Sequence, residues 1–320
     1  MNPPRRGVSN PDDMKLTIVI ATYNRCQSLL RTLRSLAGQD MPFGEWEVAV
    51  VNNNSSDDTD GVVERFRAEC PQMNLLLLHE SRQGLSPARN CGIESSHGDI
   101  IAIIDDDEEV NDGFVSAYCD FFDRYPQATA AGGRVVPRFD CEPPAWISHY
   151  TLRPIAGQVD LGESVRLFGG KSYPAGGNMA VRRSAREKYG VFNPALGRTG
   201  NNPMGGEEKD LFDRLRRHGQ LPYYVPGAII YHIIAPEKFT DDYFDRLTER
   251  CGVSERVRTL AVSRWAYCKA LFGEVVKWGA TFVLAAGWLL RGKAAKGRYL
   301  LRMRKNITRG LVWGQQPARH

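Results

Sequence analysis

The chain has 320 residues, 42% hydrophobic and 25% charged, with a formal net charge of +5. This length can bury a full core, in one large domain or two small ones, and the composition is that of a globular protein, not a disordered or fibrous one. Its seven cysteines, Cys26, Cys70, Cys91, Cys119, Cys141, Cys251 and Cys268, lie far apart with no CxxC pair, which argues against a zinc site and a disulfide framework and favours reduced thiols in cytoplasm.

Residues 1–14 are polar and Pro-rich without an apolar core of signal-peptide length, so a flexible N-terminus and no secretion are expected. Leu16 to Ala21 is the first apolar run of strand length, and it leads into Thr22-Tyr23-Asn24-Arg25. Leu29, Leu30, Leu33 and Leu36 then mark one face of a helix. A second strand over Val48 to Val51 runs into Asn52-Asn53-Asn54-Ser55-Ser56-Asp57, and Val62, Val63 and Phe66 mark a second helix. Leu75 to Leu78 reads as a third strand, Ser86 to Ile93 as a short helix, and Ile100 to Ile104 as a fourth strand. Alternation of this kind predicts an α/β fold with a largely parallel central sheet flanked by helices, an antiparallel edge being left open.

The fourth strand ends abruptly in five acids, Asp105 to Glu109. Clustered carboxylates repel one another unless water, bases or a cation compensate. Ligands of open α/β sheets collect at the carboxyl ends of strands. Mg²⁺ is commonly held by one or two carboxylates and completes its shell with water and phosphate oxygens, so a divalent metal and a phosphorylated ligand are expected here. The plain alternative is a solvated acidic turn capping the next helix.

Further on, the Gly- and Pro-rich stretch from Gly132 to Gly177 lacks a sustained period and is expected to supply loops and short strands over a binding face. A helix is expected after Gly205-Gly206, with Leu211, Phe212 and Leu215 on one side and Gly219 as its stop. Tyr223 to Val225 and Ala228 to Tyr231 resemble strands. Trp278 to Leu290 gives thirteen residues without a formal charge, short of the roughly 20 a spanning helix needs and better suited to an interfacial or core helix. No acid follows Glu274, and the ten basic residues beyond it leave a net charge of −5 on residues 1–274. The apolar stretch ahead of most of these cations points to an anionic lipid surface in preference to nucleic acid. Packing of these helices on the preceding α/β domain, or in a homodimer, with a solvated basic face is the other reading.

Taken in order, Ile20 to Arg25, Val51 to Asp57, Leu85 to Asn90, Asp105 to Asp107, Gly176 to Met179 and Gly206 to Leu211 resemble the family 2 glycosyltransferases over roughly residues 15–240. The resemblance implies a GT-A (Rossmann-like) catalytic domain at 15–240, followed by a helical, basic region at 241–320. It implies transfer of a sugar, with inversion, from a nucleotide-diphosphate sugar to a glycan or lipid-linked acceptor. A UDP-sugar donor, Mg²⁺ or Mn²⁺ as cofactor and a place on the inner face of the cell membrane in bacterial surface polysaccharide assembly go with it.

Carried over residue by residue, Thr22, Tyr23, Asn24, Asn52 and Asp57 hold the nucleoside; the family usually has Asp where this chain has Asn52. Asp105, Asp106 and Asp107 match the family's DxD element, Asp105 and Asp107 at the metal, and His232 is a candidate further ligand. Arg89 adds positive charge or orients the acids. The family's acidic pair near the acceptor maps to Glu207 and Glu208, with Glu208 as general base and Glu207 as second choice. A first-turn carboxylate is stabilised by the helix dipole and stays ionised at neutral pH. Gly176, Gly177 and Asn178 shape the sugar and acceptor pocket. The rival classes are a sugar nucleotidyltransferase, which would favour a basic glycine-rich loop that Ala21 to Arg25 lacks, and a non-catalytic membrane-associated scaffold that binds nucleotide sugars.

Overall fold

The computed structural model describes residues 14–170, 172–194, 196–197 and 206–314. The flexible N-terminus expected over 1–14 therefore lies, apart from Met14, outside the described residues, as does Gly205. The chain forms two compact units. Residues up to Val136, Val159 to 201 and 205 to His232 make the first, and Pro137–Gln158 with the chain from Ile233 onward make the second.

In the first unit β1 (Leu16–Thr22), α1 (Cys26–Leu36), β2 (Trp46–Asn52), α2 (Thr59–Glu69), β3 (Asn74–His79), α3 (Leu85–Glu94) and β4 (Ile100–Asp105) alternate as the apolar spacing predicts. β1 and β2 are buried almost throughout, as expected for parallel strands covered on both faces. Leu29, Leu33, Val63 and Phe66 from α1 and α2 cover one face with Ile18, Val48 and Ile104. Ile93 of α3 packs on the other with Val19 and Ile103. α3 sits so close to β1 that a Cβ on Gly92 would lie 2.4 Å from Val19 Cγ1.

Then follow β5 (Glu108–Val110), α4 (Phe114–Arg124), β6 (Ala130–Phe139), α5 (His149–Ala156), β7 (Arg166–Leu167), β8 (Met179–Arg182), α6 (Arg183–Tyr189), α7 (Glu207–Arg217) and β9 (Tyr223–Ile234). The sheet order is β3-β2-β1-β4-β8-β6-β9-β5, with β7 on β9. The β3-β2-β1-β4 half is parallel. β8 pairs antiparallel with β4 and β6, and β5 with β9, so antiparallel pairing reaches well beyond one edge. Register aligns Thr22 with Asn52, Asn52 with His79 and Ala21 with Asp105, bringing four strand ends to one line.

Two local expectations change. The stretch read as loops and short strands holds most of the ten-residue β6, which begins at Ala130, and the eight-residue α5. α5 is closed by a Ser148/Thr151 capping box and by Gly157 at φ +59°, and its two turns around Pro154 are too short to show a period. Residues 223–231 belong to one strand, β9, because it runs through Pro226 and Gly227. Gly206 precedes α7 as expected, and Gly219 lies just beyond its end with φ +74°.

The second unit holds α8 (Asp241–Val262), α9 (Arg264–Leu290) and α10 (Ala294–Trp313). Its core joins Trp146 and Ile155 to Phe244, Leu300 and Met303, with Trp146 stacked on Tyr299 at 4.2 Å between ring centres. This packing groups 137–158 with the C-terminal helices. α8 and α10 touch backbone to backbone, since Cβ atoms on Gly252 and Gly310 would each lie 2.0 Å from a carbonyl oxygen of the other helix. α9 is 27 residues long, twice the uncharged run within it, because a Ser263 cap starts the helix well upstream.

Candidate active site

The strand ends carry three stitched loops. Asn24, at φ +54°, accepts the Ser56 N–H at 2.7 Å and donates its own N–H to Ser55 Oγ at 3.0 Å. Arg25 gives α1 no side-chain cap, and Asp57 from the neighbouring loop takes the Cys26 N–H at 2.9 Å instead. Asn52 is buried, with its oxygen on the Ser55 N–H at 2.8 Å and its amide on Asp60 at 2.7 Å. His79 Nε2 lies 2.9 Å from the other Asp60 oxygen. Asn52 thus supports the loop and orients Asp60, while Tyr23 stands 45% exposed.

At the acidic edge the neighbouring residues divide. Asp106 turns inward, takes the Thr22 hydroxyl at 2.8 Å and pairs with Arg25 at 3.1 Å. Burial pushes its pKa up to about 6, against the pull of the Arg25 charge. Asp107 meets the same Arg25 nitrogen at 3.1 Å and lies 3.8 Å from His232 Nε2. The β5/β9 register, Glu108 opposite His232, creates that proximity across 125 positions of sequence. Asp105 stays partly open and binds Arg89 at 2.8 Å. Glu108 is buried, accepts the Asp105 N–H at 2.8 Å, and burial holds its pKa well above the ordinary carboxylate range.

Arg89 of α3 is 1% exposed and joins this edge to α7. Its guanidinium reaches Asp105, Glu207 at 3.3 Å, Glu208 at 3.6 Å and the Gly176 carbonyl at 3.1 Å. Glu207 is 2% exposed and one of its oxygens has no hydrogen-bond partner. Burial, reinforced by the Glu208 charge and opposed by Arg89, raises its pKa to about 7. The Glu208 side chain is 21% exposed. Gly176 and Gly177 leave room for these acids: a Cβ on the first would lie 1.9 Å from Glu208 Oε1 and on the second 2.2 Å from Glu108 Oε1, so either side chain would have to shift.

The site residues expected from sequence therefore reach the same end of the sheet, with one exception. Asn178 is fully buried, accepts the Tyr118 hydroxyl at 2.6 Å and donates to the Arg134 and Ala228 carbonyls at 2.9 and 3.0 Å. Its polar atoms are spent cross-linking β6, β9 and α4, so it acts as a buried tie between these elements. Arg25 and Glu108 received no role from sequence. Their signals were present, one directly following Thr22-Tyr23-Asn24 and the other inside the acidic run, but the pairing of Arg25 with two acids depends on folding.

Among the described residues no three ligand-type side chains converge on one point. Asp107 and His232 nonetheless form a carboxylate-imidazole pair beside Asp105. Two or three such donors, with phosphate and water supplying the rest, suit Mg²⁺ or Mn²⁺ shared with a diphosphate.

A family model described as glycosyl transferase family 2 matches residues 17–190, more than half of the chain. The chain is 29% identical over 316 residues, 94% of each sequence, to the succinoglycan biosynthesis protein ExoM of Rhizobium meliloti (strain 1021). It is 25% identical to the glucosyl-dolichyl phosphate glucuronosyltransferase of Haloferax volcanii, across 77% of this chain and 78% of that one. Among solved structures, the mannosyltransferase PcManGT from Pyrobaculum calidifontis, in complex with GDP-Man and Mn²⁺, superimposes with a TM-score of 0.57 at 18% identity, over 97% of this chain and 91% of that one. That likeness shows the GT-A fold, and with the family match across β1 to α6 it establishes that this chain belongs to glycosyl transferase family 2.

Proposed function

We propose that the protein is a metal-dependent, inverting glycosyltransferase. It moves a sugar from a nucleotide-diphosphate sugar, a UDP-sugar being favoured, to a hydroxyl of a lipid-linked glycan during bacterial surface polysaccharide synthesis. The observation that carries this reading is the buried Arg89, which ties donor-side Asp105 to the Glu207-Glu208 pair and so fixes acids at both ends of one reacting centre. The name of one relative, a glucosyl-dolichyl phosphate glucuronosyltransferase, supports a glycan on a lipid carrier, and that of another, a succinoglycan biosynthesis protein, supports polysaccharide synthesis.

Glu208, the more accessible of the pair, removes the proton from the acceptor hydroxyl. The acceptor oxygen bonds to the anomeric carbon from the face opposite the leaving group, and the electron pair of the broken bond departs on the nucleoside diphosphate. Buried Glu207 and Arg89 hold Glu208 in place through α7 and the guanidinium. Asp107, His232 and Asp105 would hold Mg²⁺ or Mn²⁺, which supplies positive charge to the diphosphate as it leaves. Asn24, Asn52 and Asp57 shape the nucleoside end through the paired loops, and Tyr23 offers the exposed ring there. Residues 15–240 form the catalytic domain in this reading, and 241–320 the membrane-directed region.

The test is nucleoside diphosphate release from UDP-, GDP- and TDP-sugars with Mn²⁺, Mg²⁺ or EDTA, read alongside donor binding. Metal-dependent turnover of one donor, lost in Asp107→Ala and Glu208→Gln, supports the proposal. Turnover unaffected by EDTA and by both substitutions overturns it.

A further inference from the structure

α9 is built inside out for a helix in water. Trp265, Phe272, Val276, Val283 and Leu290 recur at spacings of four or seven, on one side of the helix, and are 69, 72, 60, 73 and 88% exposed. Val275, Phe282 and Leu289 widen the same stripe, at 68, 58 and 65% exposed. On the opposite side Glu274 and Thr281 are each 3% exposed. They face α10, where Arg304 meets Glu274 at 3.1 Å, and Thr308 donates to Glu274 at 3.0 Å and accepts from Trp278 Nε1 at 3.0 Å. Polar groups satisfied within and aliphatic groups turned outward suit an apolar surrounding on the outer side.

Two features choose the occupant. From Arg264 to Gly314 the chain carries eleven cations and one acid; Lys277 and Arg304 pair with buried Glu274, and Arg302 and Arg309 with Asp245 and Glu249 of α8, while Arg264, Lys269, Arg291 and Lys293 stand exposed along and just beyond α9. An identical copy would set these cations against their own kind, whereas an anionic bilayer complements them. Exposed Trp265 and Trp313, at 69 and 71%, suit the headgroup level. By length and composition α9 could also cross a bilayer. α10 excludes that route, because it lies packed along α9 and would bring Lys296, Arg298, Arg302, Lys305 and Arg309 into hydrocarbon.

We propose that the α9 stripe containing Phe272, Val276, Val283 and Leu290 lies flat in an anionic lipid surface, embedded to side-chain depth, with the exposed cations along and just beyond α9, Arg264, Lys269, Arg291 and Lys293, at the headgroups. This attachment belongs to the second unit and is independent of the catalytic reading, so a binding measurement judges it whether or not the transferase chemistry holds.

Full-length protein is floated with vesicles of phosphatidylcholine plus phosphatidylglycerol and with vesicles of phosphatidylcholine alone. The comparison variants are Val276→Glu/Val283→Glu, both exposed positions, and Leu167→Glu, an exposed apolar residue in the first unit. The expected result is binding to the mixed vesicles that weakens with salt, is about tenfold or more weaker in the double variant and unchanged in Leu167→Glu, with bound protein released by alkaline carbonate. Equal binding by the double variant, no binding by wild type, retention through carbonate, or a wild-type dimer in sedimentation that the double variant loses would each overturn it.

Discussion

Charge is buried in both units, but to opposite ends. In the first, Arg89 is enclosed with three carboxylates, one of which lacks a full set of partners. In the second, Glu274 and Arg304 form a pair completed by Thr308. A buried pair whose hydrogen bonds close on themselves holds helices together, whereas a cluster with excess negative charge is held in readiness for a ligand. The surfaces differ in the same sense. The first unit leaves the carboxylates of Asp105 and Glu208 partly exposed, and the second turns aliphatic side chains outward.

The sharpest way to break this contrast is at Glu208. Glu208→Gln keeps its shape but removes the base, so kcat should fall by roughly 10²–10⁴ with melting temperature nearly unchanged. A variant with normal turnover in a donor-release assay would strip the first cluster of its chemical meaning. Next in size, Arg89→Met leaves the buried acids without their cation and should cost about 3–5 kcal/mol of stability in urea unfolding. Glu274→Gln in the second unit keeps the Thr308 contact and should cost about 1–2 kcal/mol by the same measurement. Equal losses would mean that the two clusters are alike.

The pH dependence separates them further. Glu207 has a folded pKa of about 7, above the ordinary value of 4.5. The folded state therefore binds a proton that the unfolded state has already released, and stability should fall as pH rises between those two values. Glu207→Gln should flatten that slope in thermal melts from pH 4 to 8 and raise the melting temperature most at the alkaline end. An unaltered slope would place the proton elsewhere. The smallest effect is expected at Arg25, which is 47% exposed and shares Asp107 with any incoming cation. Arg25→Met should tighten Mn²⁺ binding, measured by the loss of free-ion electron paramagnetic resonance signal without donor, by up to about fivefold. Weaker binding in the variant would make Arg25 an organiser of the site instead of a competitor.

Much of the fold was legible because local signals and final burial agree. The runs at 16–21, 48–51, 75–78 and 100–104 are strands, and the Leu29 and Val62 faces are helices packed on them. An apolar period records which side of an element meets the core, so it survives in the sequence without knowledge of partners. α5 and the length of α9 were hidden for the converse reason. Two turns around a proline carry no measurable period, and α9 opens with charged residues that a scan for uncharged runs passes over.

Sequence by itself determined the α/β alternation, the family and the set of acids at the strand ends, because spacing and motif order are properties of the chain. Only tertiary structure decided what those acids do. It joined Arg89 to Asp105 and to Glu207, 118 positions away. It set His232 beside Asp107 through the β5/β9 register, buried Asn178 between β6, β9 and α4 and turned the polar side of α9 inward. Charge pairing and burial act through space over a few ångströms, and separation along the chain does not encode that distance.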